Sequence, residues 1–168
     1  MQNRRFLSSV FLMCALLGTA TAAETLPQVD NSKVVPLTRF LEDRPLDENA
    51  PLFRAALLDW EDKSKDVVDV VCPGIFSPLP DKSVKYNGEL LVQFIFGSAA
   101  YQIANPKEKG KLLPAQLAGM RSMLKAYRSF LARDPSARIP RFDELSKDDE
   151  QGTLLQVLEP LVAADCKS

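Results

Sequence analysis

The sequence predicts an all-α, single-domain bundle of four main helices, built around an apolar central helix and closed by one disulfide. Three observations carry that prediction. Apolar residues recur at three- and four-residue spacing over long stretches, and no segment alternates strongly enough to be a strand. Pro73-Gly74, Asn105-Pro106 and Asp134-Pro135 punctuate the chain at helix-length intervals. Residues 87–104 leave almost no polar face, and a helix apolar all round is buried all round.

In chain order, residues 1–22 read as a secretory signal peptide. Arg4 and Arg5 give its positive start, Phe6 to Leu17 its apolar run, and Ala20-Thr21-Ala22 its small-residue cleavage site. Cys14 follows Met13, where lipidation wants a small residue, and Arg4-Arg5-Phe6-Leu7 lacks the residue that separates the pair from Phe-Leu in a twin-arginine signal. Ordinary export to the periplasm is therefore expected.

Residues 23–50, with Pro27, Pro36 and Pro45, read as an extended N-terminal arm. It carries one short helix near Leu37 to Asp43, whose Leu37, Phe40 and Leu41 can dock on the body. The helical domain follows over residues 51–168. Its first long helix is expected from Pro51 to Cys72, capped by Asn49 or Ala50, with Phe53, Ala56, Leu57, Trp60, Val67, Val68 and Val71 on the buried face. Pro73, Gly74, Pro78 and Pro80 then make 73–86 a rigid loop.

The central helix is expected over Asn87–Ala104, with Phe94, Ile95 and Tyr101 largely buried. Gly97-Ser98-Ala99-Ala100 within it allow a neighbouring helix to cross closely, and the same residues could floor a pocket. A third helix is expected from Pro114 to Arg133, on the stripe Leu117, Met120, Leu124, Tyr127 and Leu131. Residues 135–147 read as a connector with a single turn at Phe142-Leu145. Ser146 and Asp149 have capping-box spacing for a last helix that Pro160 kinks or splits.

Composition narrows the function classes. Without Arg4 and Arg5, 19 basic residues face 22 acidic ones, a net charge of −3, which argues against a nucleic-acid binder. Histidine is absent, removing the commonest general base and metal ligand, and neither a metal nor another cofactor is expected. With Cys14 in the signal, Cys72 and Cys166 remain, an even pair that reads as one disulfide in an exported chain. It would tie the end of the last helix to the end of the first.

Several constellations could carry chemistry. Asp59, Asp62, Asp66 and Asp69 share one stripe of the expected first helix, and Arg121, Lys125 and Arg128 share one of the third, with Arg133, Arg138 and Arg141 following. Such stripes are docking surfaces, solvated faces, or partners of each other across the bundle. Arg121, Lys125, Arg128 and Arg133 are the candidate partner-binding residues. Ser122-Met123-Leu124-Lys125 matches S-x-x-K, but its companion S-D-N and K-T-G elements are missing and the match lies in mid-helix. Glu89 and Glu159 are the acids nearest apolar surroundings, yet Glu89 suits a first helical turn and Glu159 precedes Pro160. No catalytic residue is assigned.

From residue 87 to 166 the chain runs through Phe94-Ile95-Phe96-Gly97, Leu113-Pro114-Ala115-Gln116-Leu117, Leu131-Ala132-Arg133-Asp134-Pro135 and a last helix ending in a cysteine. That order resembles the Tai-type immunity proteins of type VI secretion. The family usually has a cysteine before the central glycine, where Phe94 and Ile95 stand, and another where Leu112-Leu113 stand. The resemblance implies a small periplasmic helical protein that blocks a cell-wall hydrolase, and carries over no inhibitory residue.

The expected function is therefore protein binding without catalysis, including immunity-type inhibition of a secreted hydrolase. No nucleic-acid partner and no membrane insertion after signal cleavage are expected. A small-molecule or lipid carrier would instead need a cavity beside the central helix, and a carboxylate-dependent hydrolase would need two acids in one cleft.

Overall fold

The computed structural model describes residues 26–166, so the signal-peptide reading lies outside the described residues. Among those residues the chain is all-helical, with no strand: α1 (Asn31–Asp43), α2 (Ala50–Lys63), α3 (Asn87–Ala104), α4 (Leu112–Arg133), α5 (Pro140–Gln151) and α6 (Leu154–Asp165), joined by three short 3-10 turns. Six helices stand where four main helices and one short N-terminal helix were expected.

The N-terminal helix starts six residues earlier than its apolar residues suggested. Asp30 caps it by accepting from the Ser32 amide at 2.9 Å, which fixes the first turn at Asn31. α1 lies against both α3 and α4. Val34 and Leu41 are fully buried there with Ala50, Leu57 and Phe96, and Leu37, Phe40, Phe53 and Trp60 pack around them.

α2 ends at Lys63, nine residues short of the expected Cys72. Ser64 turns extended (ψ 136°), and from Val67 to Cys72 the chain runs without helix, turn or bend. Its β-branched Val67, Val68, Val70 and Val71 lose side-chain freedom in a helix and fit extended backbone. Of the valines assigned to the buried face, Val67 is buried while Val68 and Val71 are about half exposed.

α3 has the expected bounds, and its all-round apolar character has a structural cause: it lies between two cores. Phe96 faces the α1–α2 cluster. Phe94 faces the main cluster of Phe76, Met120, Met123, Leu124, Tyr127, Phe130, Phe142, Leu145, Leu154 and Leu158. Phe94 is buried as expected, whereas Ile95 and Tyr101 are only half-buried.

The α3–α4 crossing is close because glycines leave room. A Cβ on Gly97 would lie 2.2 Å from Ser122 Cβ, and one on Gly119 would lie 2.8 Å from the Phe94 carbonyl oxygen. α4 begins two residues before the expected Pro114, and its stripe holds: Met120, Leu124 and Tyr127 are buried, Leu117 and Leu131 half-buried.

The expected connector 135–147 is mostly helix. Pro140 occupies the first position of α5, Phe142 and Leu145 are fully buried, and Gly152 at φ 76° ends the helix in left-handed backbone. Ser146 is a buried residue inside α5 and not a cap. The last helix starts at Leu154, after Gly152-Thr153, and Pro160 lies within α6 without dividing it.

Cys72 and Cys166 are bonded, their Cα atoms 5.3 Å apart. Because α2 stops at Lys63, the bridge does not join two helix ends. It fixes the end of the extended segment, where the Pro73–Phe76 3-10 turn begins, to the cap of α6. No helix among the described residues is long and apolar enough to cross a membrane.

Candidate functional site

The surface that stands apart is the extended strip Val67–Val71. Val68, Val70 and Val71 are 46%, 40% and 49% exposed, three large apolar residues within four positions. Scattered exposed apolar residues are ordinary, but a contiguous set held rigidly is not.

Two buried glutamines hold the strip in place. The Gln102 side-chain carbonyl accepts from the Val68 amide (3.0 Å) and the Gly110 amide (3.1 Å), and its NH2 donates to the Val68 carbonyl at 3.0 Å. Gln116 donates to the Val70 carbonyl at 2.6 Å. Both side chains are 1% exposed. They engage alternate residues, as the two-residue period of extended backbone requires. Among the described residues, the backbone N–H and C=O groups of Val67, Asp69 and Val71 find no hydrogen-bond partner. One edge of the strip is thus clasped and the other open.

Sequence reasoning missed these residues. The usable signal was that a side-chain amide in a buried helix must find partners, here the backbone of the extended strip.

Beside the strip, Asp69 is half-buried, and its Oδ1 is shielded with no partner among the described residues. Burial, then the hydrogen bond and charge of Glu61 at the end of α2, push its pKa up to about 7. The expected acidic stripe is therefore broken. Asp59 and Asp62 stay on α2, while Asp66 and Asp69 lie beyond its end, with Asp66 accepting from the Asn31 amide group at 2.8 Å.

The basic stripe does lie on α4, but its partners come from α1 and α5, not from the acidic stripe. Arg121 Nε donates to Asp149 at 2.8 Å, and Lys125 Nζ to Glu42 at 3.2 Å. Arg138 pairs with Asp143 and Arg141 with Glu144. Arg133 is exposed and has no ion-pair partner among the described residues. Arg128 is half-buried and makes no hydrogen bond or ion pair there, with Nη1 shielded from solvent.

The S-x-x-K residues belong to a buried tie. Ser122, 3% exposed, donates to Glu42 Oε1 at 2.6 Å and accepts from Gln93 Nε2 at 2.9 Å, which also donates to the Thr38 carbonyl at 3.2 Å. Lys125 completes the pairing of Glu42, itself 7% exposed. The Ser122 hydroxyl, in the middle of α4, donates to the Glu42 carboxylate of α1 and has no helix N-terminus near it. The network locks α1, α3 and α4 together. Above it lies a shallow groove of about 290 Å³ floored by Gly97, Ala100 and Ala118, so the small residues serve close packing and line a surface groove too. Glu89 sits in the first turn of α3, half-buried, and Glu159 is exposed on α6.

In comparison with known proteins, no family model matches this chain, no curated protein matches it, and no solved structure matches it.

Proposed function

We propose that this is an exported, periplasmic protein that acts by binding another protein, without catalysis of its own, and that the Val67–Val71 strip is the docking element. The observation that carries this is three exposed valines on extended backbone, anchored by Gln102, Gln116 and the Cys72–Cys166 bond. A rigid, apolar strip with an open hydrogen-bonding edge accepts an extended segment of a partner: main-chain bonds supply affinity, side chains supply selectivity. Holding the strip in its bound shape beforehand removes ordering cost from association.

The narrower form of this function is immunity-type inhibition of a secreted hydrolase. The Tai-type resemblance of residues 87–166 supports it, as does the disulfide in an exported chain. The test is the affinity of a purified periplasmic partner for wild type and for the triple variant Val68→Ser, Val70→Ser, Val71→Ser. These side chains are exposed, so the variant keeps its fold, and affinity should fall by about tenfold or more. Equal affinity would remove the strip from the account. Loss of the partner's peptidoglycan hydrolysis on adding wild type supports inhibition, and undiminished hydrolysis refutes it.

A further inference from the structure

Between α4 and α5 lies an open cleft of about 360 Å³, remote in sequence from the valine strip and lined mostly by apolar surface. Its walls include Tyr127, Leu131, Arg128, Ser146 and Lys147. We propose that this cleft binds a carboxylate on an apolar stem, with Arg128 taking the acid group and Leu131 taking the stem.

The argument begins with what the cleft's polar groups already touch. Asp143 is fully engaged: Tyr127 donates to it at 2.7 Å and Arg138 at 2.5 Å. That removes Asp143 and Arg138 from the account of free charge. Arg128 and Lys147 have no ion-pair partner among the described residues, and Glu150 on the rim has none either, leaving one net positive charge. Ser146 is 93% buried, and its Oγ has no hydrogen-bond partner among the described residues.

A half-buried guanidinium with no acceptor is unusual, because the group carries five donors and loses hydration on burial. Its planar fork matches a carboxylate, and such charge-assisted bonds are about twice as strong as neutral ones. Ser146 lines the same wall, with its hydroxyl shielded from solvent. The apolar share of the lining selects an acid with a short hydrocarbon stem over a bare inorganic anion, and the volume lies at the lower end of small-ligand sites, roughly 300–1,000 Å³. The carboxylate can belong to a free small acid or to an acidic side chain beside an apolar residue on another protein. The chemistry of recognition is the same.

The experiment is an NMR titration of the mature protein with hexanoate, with the blocked dipeptide N-acetyl-Leu-Glu-amide, and with hexanol and sodium chloride as controls. The probes are the Ser146 and Lys147 amides and the Arg128 Nε–H. Saturable shifts with either acid, absent with hexanol and salt, are expected. Arg128→Gln should weaken binding about tenfold or more, and Glu150→Gln should tighten it, since it removes the one opposing charge. Lys125→Gln, on the groove side of α4, should leave it unchanged. Tighter binding of hexanoate assigns the site to free acids, and tighter binding of the dipeptide to a protein side chain. If Arg128→Gln fails to fold, Lys147→Gln, an exposed change, should still weaken binding severalfold. No saturable shift with either acid, equal shifts with hexanol, or unchanged affinity in a folded Arg128→Gln overturns the proposal.

Discussion

Replacing Gln102 by Ala removes the clasp on the Val67–Val71 strip, and the structure sets the size of the effect. Three well-formed bonds disappear: Val68 N–H, Val68 C=O and Gly110 N–H, all within 3.0–3.1 Å of the Gln102 amide. At about 1 kcal/mol net each, the loss is about 3 kcal/mol. The freed backbone groups are only part-buried, so water can reach them and limits any further penalty. For a chain of this size the melting temperature should drop by about 6–12 °C. Hydrogen exchange gives the local reading: the Val68 and Gly110 amides should lose protection together, while amides in mid-α4 keep theirs. Gln102→Glu is the isosteric control. Its second oxygen faces the Val68 carbonyl, so it should be destabilised more at pH 8 than at pH 5, where the buried acid can take a proton. A melting shift under about 2 °C with unchanged exchange at Val68 would refute the clasp.

The other predictions concern the core, the crossing, the bridge and the acid pair. Phe94→Ala, which loses an edge-on contact with Phe76 at 4.7 Å, should cost about 3–5 kcal/mol, and Ile95→Ala clearly less because Ile95 is half-buried; equal losses in denaturant titrations would contradict the two-core placement of α3. Gly97→Ala forces α3 and α4 apart against Ser122 Cβ and should cost roughly 1–3 kcal/mol; an unchanged unfolding midpoint would show that the helices do not cross there. Reducing Cys72–Cys166, which closes a separation of 94 residues, should remove about 4–5 kcal/mol and open α6 first, read by mass mapping and exchange; two freely alkylated thiols in the unreduced protein would contradict the bond. Asp69 holds its proton in the folded state up to about pH 7, against 3.8 for the unfolded chain. Its contribution to stability is therefore complete below about pH 4 and declines as pH rises to about 7, and Asp69→Asn should abolish that decline; an identical pH profile for the variant would contradict it.

Where local pattern and tertiary demand agree, the sequence was a sufficient guide. Asn87–Ala104 was legible to the residue because the proline-rich loop before it and Asn105-Pro106 after it bound a mostly apolar run. The disulfide followed from the even pair of cysteines left once Cys14 is assigned to the expected signal. The errors share a physical cause. Val67, Val68 and Val71 fall at helical spacing after Trp60, but the same residues fit an extended strip, and what decides is Gln102 and Gln116, which are distant in sequence. α5 was missed because charged residues dominate it and only Phe142 and Leu145 mark its buried side. Ser146 and Asp149 matched a capping pattern by spacing alone, whereas Gly152 shows where the break falls. The basic stripe was placed on the right helix, but its acids come from α1 and α5, and pairing across a fold is not written in one segment's periodicity.

The most direct test of the account is amide hydrogen exchange across residues 66–72 in the free protein and in complex with its purified partner. In the free protein the Val68 amide, bound to Gln102, should be protected, while Asp69 and Val71 exchange rapidly. On complex formation Asp69 and Val71 should slow markedly, as the open edge gains main-chain bonds from the partner. Unchanged exchange at Asp69 and Val71, with new protection along Arg121 to Arg133 instead, would contradict the strip and place docking on the cationic face of α4.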